Sequence, residues 1–576
     1  MCPASMPSTR ILTPPWTTKH PTIHKYTCFW GPYPIQSGKH SFLNMALQDD
    51  ESLLPPDLWF EIATLVEPRD VLTMKLVCKT LHQIFASRKL WVYVLLSVCH
   101  QHSLFLPSYP IGDMALDELQ RAALGPYRWA RLIRRKGKRC VQRNASIRVL
   151  KPLKESGHVL ESADHLQFLV PGGRFLLTAR WKSLFLWDLG VVGRPSLSRY
   201  PTLIVRKTFQ QEGLALQELT VIPLNKTTLR IAVSLVGKEE MLKFKVYDIS
   251  PGTQEAKLKR VGSLTVQTKS QEGTNRIICQ DLLIHGNRLH ASLTSPSISF
   301  IWDFSADRYT LGPRQMGNSL SASPPKVFTG TSVIEFGRRR YTGVGHTILR
   351  LCTQQRSSKA SPSISSQPPS STRGISMRFL YPTWRALPAL RLVTTVHPPS
   401  PWHHGSVFPI TFNIIRERLA HTGRSDDSAT CHRYQLDVKA DLQDPFNALK
   451  TDVTFKVLGK FYLPSGWFYT PQVSAAPVAG LDACYSGMTL LKMFLPRMMV
   501  GGDSEEVIYS MSSLSSRRGT PRLWAKVTPL LRSSPKSQTR TQLVCSATGR
   551  IVYTVQESDP AVRETRVSDY LSPWLK

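Results

Sequence analysis

Residues 51–96, ESLLPPDLWFEIATLVEPRDVLTMKLVCKTLHQIFASRKLWVYVLL, hold the tightest pattern in the chain and constrain it most. Pro55 and Pro56 suit the first turn of a helix, where a missing N–H is harmless. Asp57 and Glu61 stand near that positive end, and Leu58, Ile62 and Leu65 recur at i, i+4, i+7 as one apolar stripe. Pro68 ends this helix and opens a second, with Asp70 in the new first turn. Val77, Leu81 and Ile84 repeat the stripe, and Leu90 and Trp91 close the unit. Three or four helices in so short a stretch bury little core by themselves. Such a unit lends its remaining stripe to something else.

The same residues carry a resemblance. Leu54-Pro55-x-Asp57-Leu58, then Ile62, Leu65, Pro68-x-Asp70, Leu72, Val77-Cys78-Lys79 and Leu90-Trp91 run in register without a gap and resemble an F-box motif. One departure is that Thr80 and Leu81 follow the Val-Cys-Lys element, where the family often has an aromatic residue. The resemblance implies docking on the Skp-type adaptor of a cullin-RING ubiquitin ligase. Its adaptor-binding set here would be Leu54, Pro55, Leu58, Ile62, Leu65, Pro68, Asp70, Leu72, Val77, Cys78, Leu90 and Trp91. Leu54, Pro55, Leu58 and Ile62 would meet the adaptor first. Leu81, Ile84 and Phe85 are expected to hold the helices together instead.

Charge marks this segment off. Residues 49–97 carry 5 basic and 7 acidic side chains, whereas the whole chain has a net charge of +33. Residues 98–154 carry 12 basic and 3 acidic ones, with no acid between Glu118 and Glu155. Trp129, Leu132 and Ile133 suggest a helix with one buried edge there, and a basic helical linker over 98–154 is the expectation. Arg134, Arg135, Lys136, Lys138 and Arg139 form a candidate nuclear-import patch. No aromatic residues interleave with it, so base stacking is not its purpose.

From about residue 155 the helical period gives way to short β-branched and aromatic runs between turn residues. The runs 174–190, 229–250 and 287–305 each read as strand, turn and strand. They end Trp187-Asp188, Tyr247-Asp248 and Trp302-Asp303. Fainter units stand at 341–352, 488–511 and 543–555. A repeated hairpin ending in aromatic-Asp resembles the blades of a WD-repeat propeller, in which each blade gains stability by stacking on its neighbours. That resemblance implies about six to eight blades. The whole chain resembles fungal F-box proteins with a divergent propeller-like C-terminal region. The expected fold is therefore α + all-β: a disordered leader over 1–48, a three-helix F-box over 49–97, the basic linker, and a large irregular antiparallel β domain over 155–576. Residues 353–376, with nine Ser and three Pro, read as a disordered insertion in it.

Several chemistries are excluded. No HExxH, GxSxG, EF-hand loop or Rossmann glycine fingerprint is present, and no carboxylate pair stands out. Gly31–Lys39 lacks the spacing and the Ser/Thr of a phosphate loop. His403-His404 and Cys431-His432 have nothing to bring them together. The ten cysteines form no CxxC, which points to a reducing compartment, cytosol or nucleus, and makes the sequons at Asn144 and Asn225 chance matches. No apolar run is long enough to span a membrane, and prolines at 14, 15, 21, 32 and 34 break any targeting helix. The expected role is a non-catalytic, cofactor-free and metal-free substrate receptor of an SCF-type ligase. It would hold an adaptor, through it a cullin, and an acidic or phosphorylated target. Two alternatives stand beside it: a nucleic-acid- or chromatin-associated binding protein, and a scaffold that binds the adaptor without promoting degradation.

Overall fold

The computed structural model describes residues 54–135, 146–150 and, with short gaps, 166–313. From 326 to 538 it describes the backbone of the strands given below, together with Trp402, and it resumes in detail, again with gaps, at 543–571. The leader 1–48, Lys136, Lys138, Arg139, Asn144, His403 and His404 lie outside the described residues.

Six α-helices come first among the described residues. They are α1 (Pro56–Leu65), α2 (Pro68–Met74), α3 (Lys79–Phe85), α4 (Arg88–Gln101), α5 (Leu116–Ala123) and α6 (Gly125–Arg135). Pro68 takes the first turn of α2, as its fixed φ favours. The Cys78 Sγ accepts a hydrogen bond from the Leu81 amide and caps α3. Ala63, Val71, Leu81, Phe85, Leu90, Trp91, Val94 and Leu95 are buried in one core. Tyr109, Met114, Leu119 and Ala123 join that same core from beyond the first four helices. Part of the 98–154 segment is thus packed on the helical unit.

Seven sheets, antiparallel but for one short added strand, follow among the described residues. Sheet 1 is Leu166–Leu169, Phe175–Arg180, Ser183–Asp188 and Thr202–Thr208. Sheet 2 is Ala215–Pro223, Leu229–Val236, Met241–Ile249 and Lys259–Thr268. Sheet 3 is Cys279–His285, Arg288–Leu293, Ile298–Asp303 and Arg308–Pro313. Sheet 4 runs from Lys326–Phe328 through Ser332–Arg339 and Gly343–Arg350 to Ser376–Phe379. Sheet 5 runs from Arg391–His397 through Ile410–Leu419 and Thr430–Lys439 to Asp452–Tyr462, and sheet 6 is Met488–Leu495, Glu505–Ser513 and Ala525–Arg532. Sheet 7 takes Gln538–Cys545, Arg550–Gln556 and Arg563–Asp569 from the C-terminal end, and its fourth strand is Ser146–Leu150. That pairing closes the array on itself and is how a propeller avoids a free end. The β domain thus starts at Ser146, earlier than the expected 155, because the closing strand precedes the first sheet.

Side chains from neighbouring sheets fill the space between them. Phe168, Leu177, Val221 and Ile231 belong to a core shared by sheets 1 and 2. Phe244, Phe300 and Trp302 belong to one shared by sheets 2 and 3, and Leu176, Trp187, Val552 and Val567 to one shared by sheets 7 and 1. The 353–376 insertion is not wholly structureless. Gln355–Arg356 adds to the outer edge of sheet 3, and Ser363–Ile364 pairs in parallel with the outer edge of sheet 2. Both pairings cover unpaired strand edges.

Candidate adaptor face and the seam behind it

The aromatic-Asp repeat acquires a partner in three dimensions. Each repeat Asp ends the third strand of its sheet, and an Arg at the start of the second strand meets it. Arg174 binds Asp188 with a bidentate fork at 2.6–3.0 Å, Arg230 binds Asp248 at 2.8 Å, and Arg288 binds Asp303 at 3.1 Å. Sheet 7 repeats the pattern without the aromatic residue: Arg550 donates to both Asp569 oxygens at 2.6 and 2.9 Å. Spare guanidinium donors tie one sheet to the next. Arg230 reaches the Gly286 carbonyl in the first turn of sheet 3, and Arg550 reaches Gly173 and Gly190 carbonyls of sheet 1. Arg148, on the closing strand, adds a second guanidinium to Asp569 at 3.1 Å. Burial pushes the Asp569 carboxyl up, and Arg550 and Arg148 overcome that push and hold it below its ordinary value.

Arg174 departs from this rule. Its spare donor goes to the Pro107 carbonyl, in the helical unit, at 3.1 Å. Sheets 1 and 7 there offer turns to the helices. The Phe105 amide donates to the Pro171 carbonyl, the Ser108 hydroxyl donates to the same oxygen, and Arg194 forks onto Glu118 at 2.9 and 3.2 Å. Trp129 of α6 is wholly buried, edge-on to Tyr570 at 5.6 Å. Gly549 carries φ +65°, and a Cβ there would stand 2.9 Å from the Trp129 ring, so the turn needs glycine twice over. Trp402, in the connection between the first two strands of sheet 5, stacks on Phe168 at 6.0 Å and meets Phe105 edge-on at 6.3 Å.

The opposite end of the helical unit is unfinished. Leu65 is 85% exposed, Leu76 82% and Val77 70%, and Leu54 and Leu58 are about half exposed. Pro55, Asp70 and Cys78 are also exposed, while Ile62, Pro68 and Leu72 are partly covered. Residues 54–78 therefore keep these twelve-residue-set members, Leu90 and Trp91 apart, at the surface. Leu90 and Trp91 are at 0% exposure, and the Trp91 indole N–H donates to the Phe85 carbonyl at 2.8 Å. In the free chain they lie inside the helical core rather than on its surface. Phe85 and Leu81 are buried and Ile84 is partly buried, as core residues should be. Val77 separates from the stripe it shares with Leu81, because it precedes α3 and points to solvent. Leu76 lies beside it and has no place in the apolar periodicity; only its exposure in the fold reveals it.

Of the basic patch, Arg134 and Arg135 fall on the last turn of α6. Cys431 and His432 are adjacent on one strand of sheet 5. Among the described residues no cluster of three metal-ligating side chains occurs, and no helix is long and apolar enough to cross a membrane. Asn225 has its side-chain oxygen engaged by the Thr227 and Thr228 amides in a tight turn.

Comparison with known proteins agrees on the helical end. Residues 52–93 match the F-box domain. No curated protein matches the chain. Among solved structures, the fission yeast SCAP WD40 domain is similar at 8% identity, over 71% of this chain and 84% of that one, with a TM-score of 0.32. The β-propeller domain of Myceliophteria thermophila Cps50 (Swd1) is similar at 7% identity, over 74% and 99%, with a TM-score of 0.33. The propeller assignment itself rests on the sheet order and on the closing strand.

Proposed function

From an F-box domain at residues 52–93 as the premise, we propose that this chain is the substrate-recognition subunit of an SCF-type cullin-RING ubiquitin ligase. F-box domains in general bind Skp-type adaptors and through them a cullin, and proteins that carry them are typically non-catalytic receptors. The observation that supports the reading best is the run of exposed apolar side chains on the α1–α3 end, Leu58, Leu65, Leu76 and Val77. Scattered exposed apolar residues are ordinary, but four within 20 residues on one small unit are the signature of an interaction surface.

The β domain is the target receptor in this reading. Its turns at 170–174, 189–194 and 547–549 all face the helices, at one end of sheets 1 and 7. The target is accordingly expected at the other end, where the second strand of each sheet turns into the third. The net basic charge favours an acidic or phosphorylated segment as that target, in the cytosol or nucleus.

The test is capture of the full chain on purified Skp-type adaptor, wild type against Leu54→Ala/Leu58→Ala/Leu65→Ala. Each buried leucine contact is worth roughly 1.5–3 kcal/mol, so the triple variant is expected to weaken binding by at least about 100-fold. Circular dichroism should show it as folded as the wild type. Absence of wild-type binding under these conditions refutes the reading.

A further inference from the structure

Between the helical unit and the turns of sheets 1 and 7 lies a shallow open cleft that encloses only about 40 Å³. Arg121 and Arg128 enter it from α5 and α6, and Arg194 and Thr548 from the turns opposite, with Tyr109 and Glu118 beside them. Arg194 is matched by Glu118, and Arg121 by Asp117, a residue 68% exposed on its outer side. Arg128 has no carboxylate or hydrogen-bond acceptor for its guanidinium among the described residues, although it is only partly exposed. Its pKa is held below the usual arginine value, by burial first and by the nearby Arg121 second; no acid opposes them. The Tyr109 hydroxyl likewise has no described hydrogen-bond partner.

We propose that this cleft binds a small oxyanion of the phosphate class, carried on a partly apolar body. A half-buried guanidinium beside a second one is a costly arrangement unless an anion joins them. Planar guanidinium forks match the oxygens of phosphate in a way that lysine does not. Met114, Val191 and Leu571 line the rest of the cleft with carbon, which suits an organic body better than a bare ion. Its position gives the ligand a consequence. An anion seated there touches both α6 and the turns of sheets 1 and 7, and stiffens the joint between the adaptor-facing helices and the β domain. This reading does not depend on adaptor binding and survives if that fails.

The probes are phenyl phosphate and inorganic phosphate, added to the full chain at fixed ionic strength with chloride as the reference. Binding to the native state alone raises the melting temperature through linkage, here by at least about 2 °C at saturating phenyl phosphate. Titration calorimetry gives the affinity directly. Arg128→Gln should lose the shift, and Arg128→Lys should weaken affinity by at least about 5-fold, since it keeps charge but not the fork. Arg121→Gln, whose own partner is solvated, serves as the variant least able to disturb folding and should also weaken the shift. Each variant is read against its own unliganded baseline. No shift in the wild type, or the same shift in Arg128→Gln and Arg121→Gln, overturns the site. Equal shifts from both probes overturn the organic body.

Discussion

The two ends of the helical unit are made of similar residues and treated oppositely. At the α1–α3 end, Leu65, Leu76 and Val77 stand in solvent. At the α4–α6 end, Leu119, Ala123 and Trp129 are completely or nearly completely buried, and Leu104 packs against both the helical core and the core of sheets 7 and 1. Composition does not explain the difference; the presence of a partner within the same chain does. The second end finds its partner in sheets 1 and 7. The first has none among the described residues, and it is the end that the F-box match covers. Packing and hydrogen bonds join the second end to the β domain, where a bare linker would give no such contacts.

The largest effect should come from breaking the closed end at its centre. Arg550 is fully buried and joins Asp569 to two carbonyls of sheet 1. Arg550→Ala leaves a buried carboxylate with only Arg148, and removal of one partner from such a pair costs about 3–5 kcal/mol. Chemical denaturation should show that loss, with the helical unit released together with the ring closure. The same clasp gives the protein an acid limb. The folded Asp569 carboxyl is held below its ordinary value, so its contribution is fully present above about pH 4 and is lost as pH falls through the lower folded value. Melting temperature followed downward from pH 5 should fall less steeply in Asp569→Asn, which has no proton to take up. An equal slope would remove Asp569 as its source.

A pH change in the other direction reports on the β domain away from the seam. Glu218 is buried on the first strand of sheet 2, and burial, helped by the nearby Asp281 charge, pushes its carboxyl up to about 9. A raised folded pKa means stability that is complete below the unfolded value near 4.5 and declines as pH rises toward 9. Glu218→Gln is expected to flatten that decline between pH 5 and 9 and to raise the melting temperature at pH 8. A variant that melts with the wild-type slope would show that Glu218 is ionised in the folded protein. Arg194→Ala, at the edge of the seam, should cost only about 1 kcal/mol, because its pair with Glu118 is partly solvated.

What was legible in the sequence divides along the range of the interactions. α1 and α2 begin where prolines and first-turn acids say they should, because those signals act within one turn. The aromatic-Asp ends of sheets 1–3 were visible because Trp187, Tyr247 and Trp302 fill equivalent buried places. The arginines that answer those aspartates were not, since they stand 14 to 18 residues earlier at irregular spacing. Nor was sheet 7 legible as part of the same series: its Arg550–Asp569 pair survives where the aromatic residue is replaced by Ser568. Ring closure by Ser146–Leu150 joins residues more than 400 positions apart, and no local pattern records it. Leu90 and Trp91 show the reverse case. The motif placed them correctly, but only burial tells support from contact.

The smallest effect on stability should come from the open end, and its smallness is the point. Leu65 at 85% exposure buries almost nothing in the free chain, so Leu65→Ala should change unfolding free energy by no more than about 0.5 kcal/mol. Leu95, on α4 and fully buried, is the matched control: the same substitution there opens a cavity and should cost about 2–5 kcal/mol. Adaptor binding is expected to invert the order, with Leu65→Ala weakening capture while a folded fraction of Leu95→Ala binds normally. A destabilisation by Leu65→Ala comparable to that of Leu95→Ala would mean that Leu65 is covered within the chain itself. The contrast between an open and a closed end would then fail at its first residue.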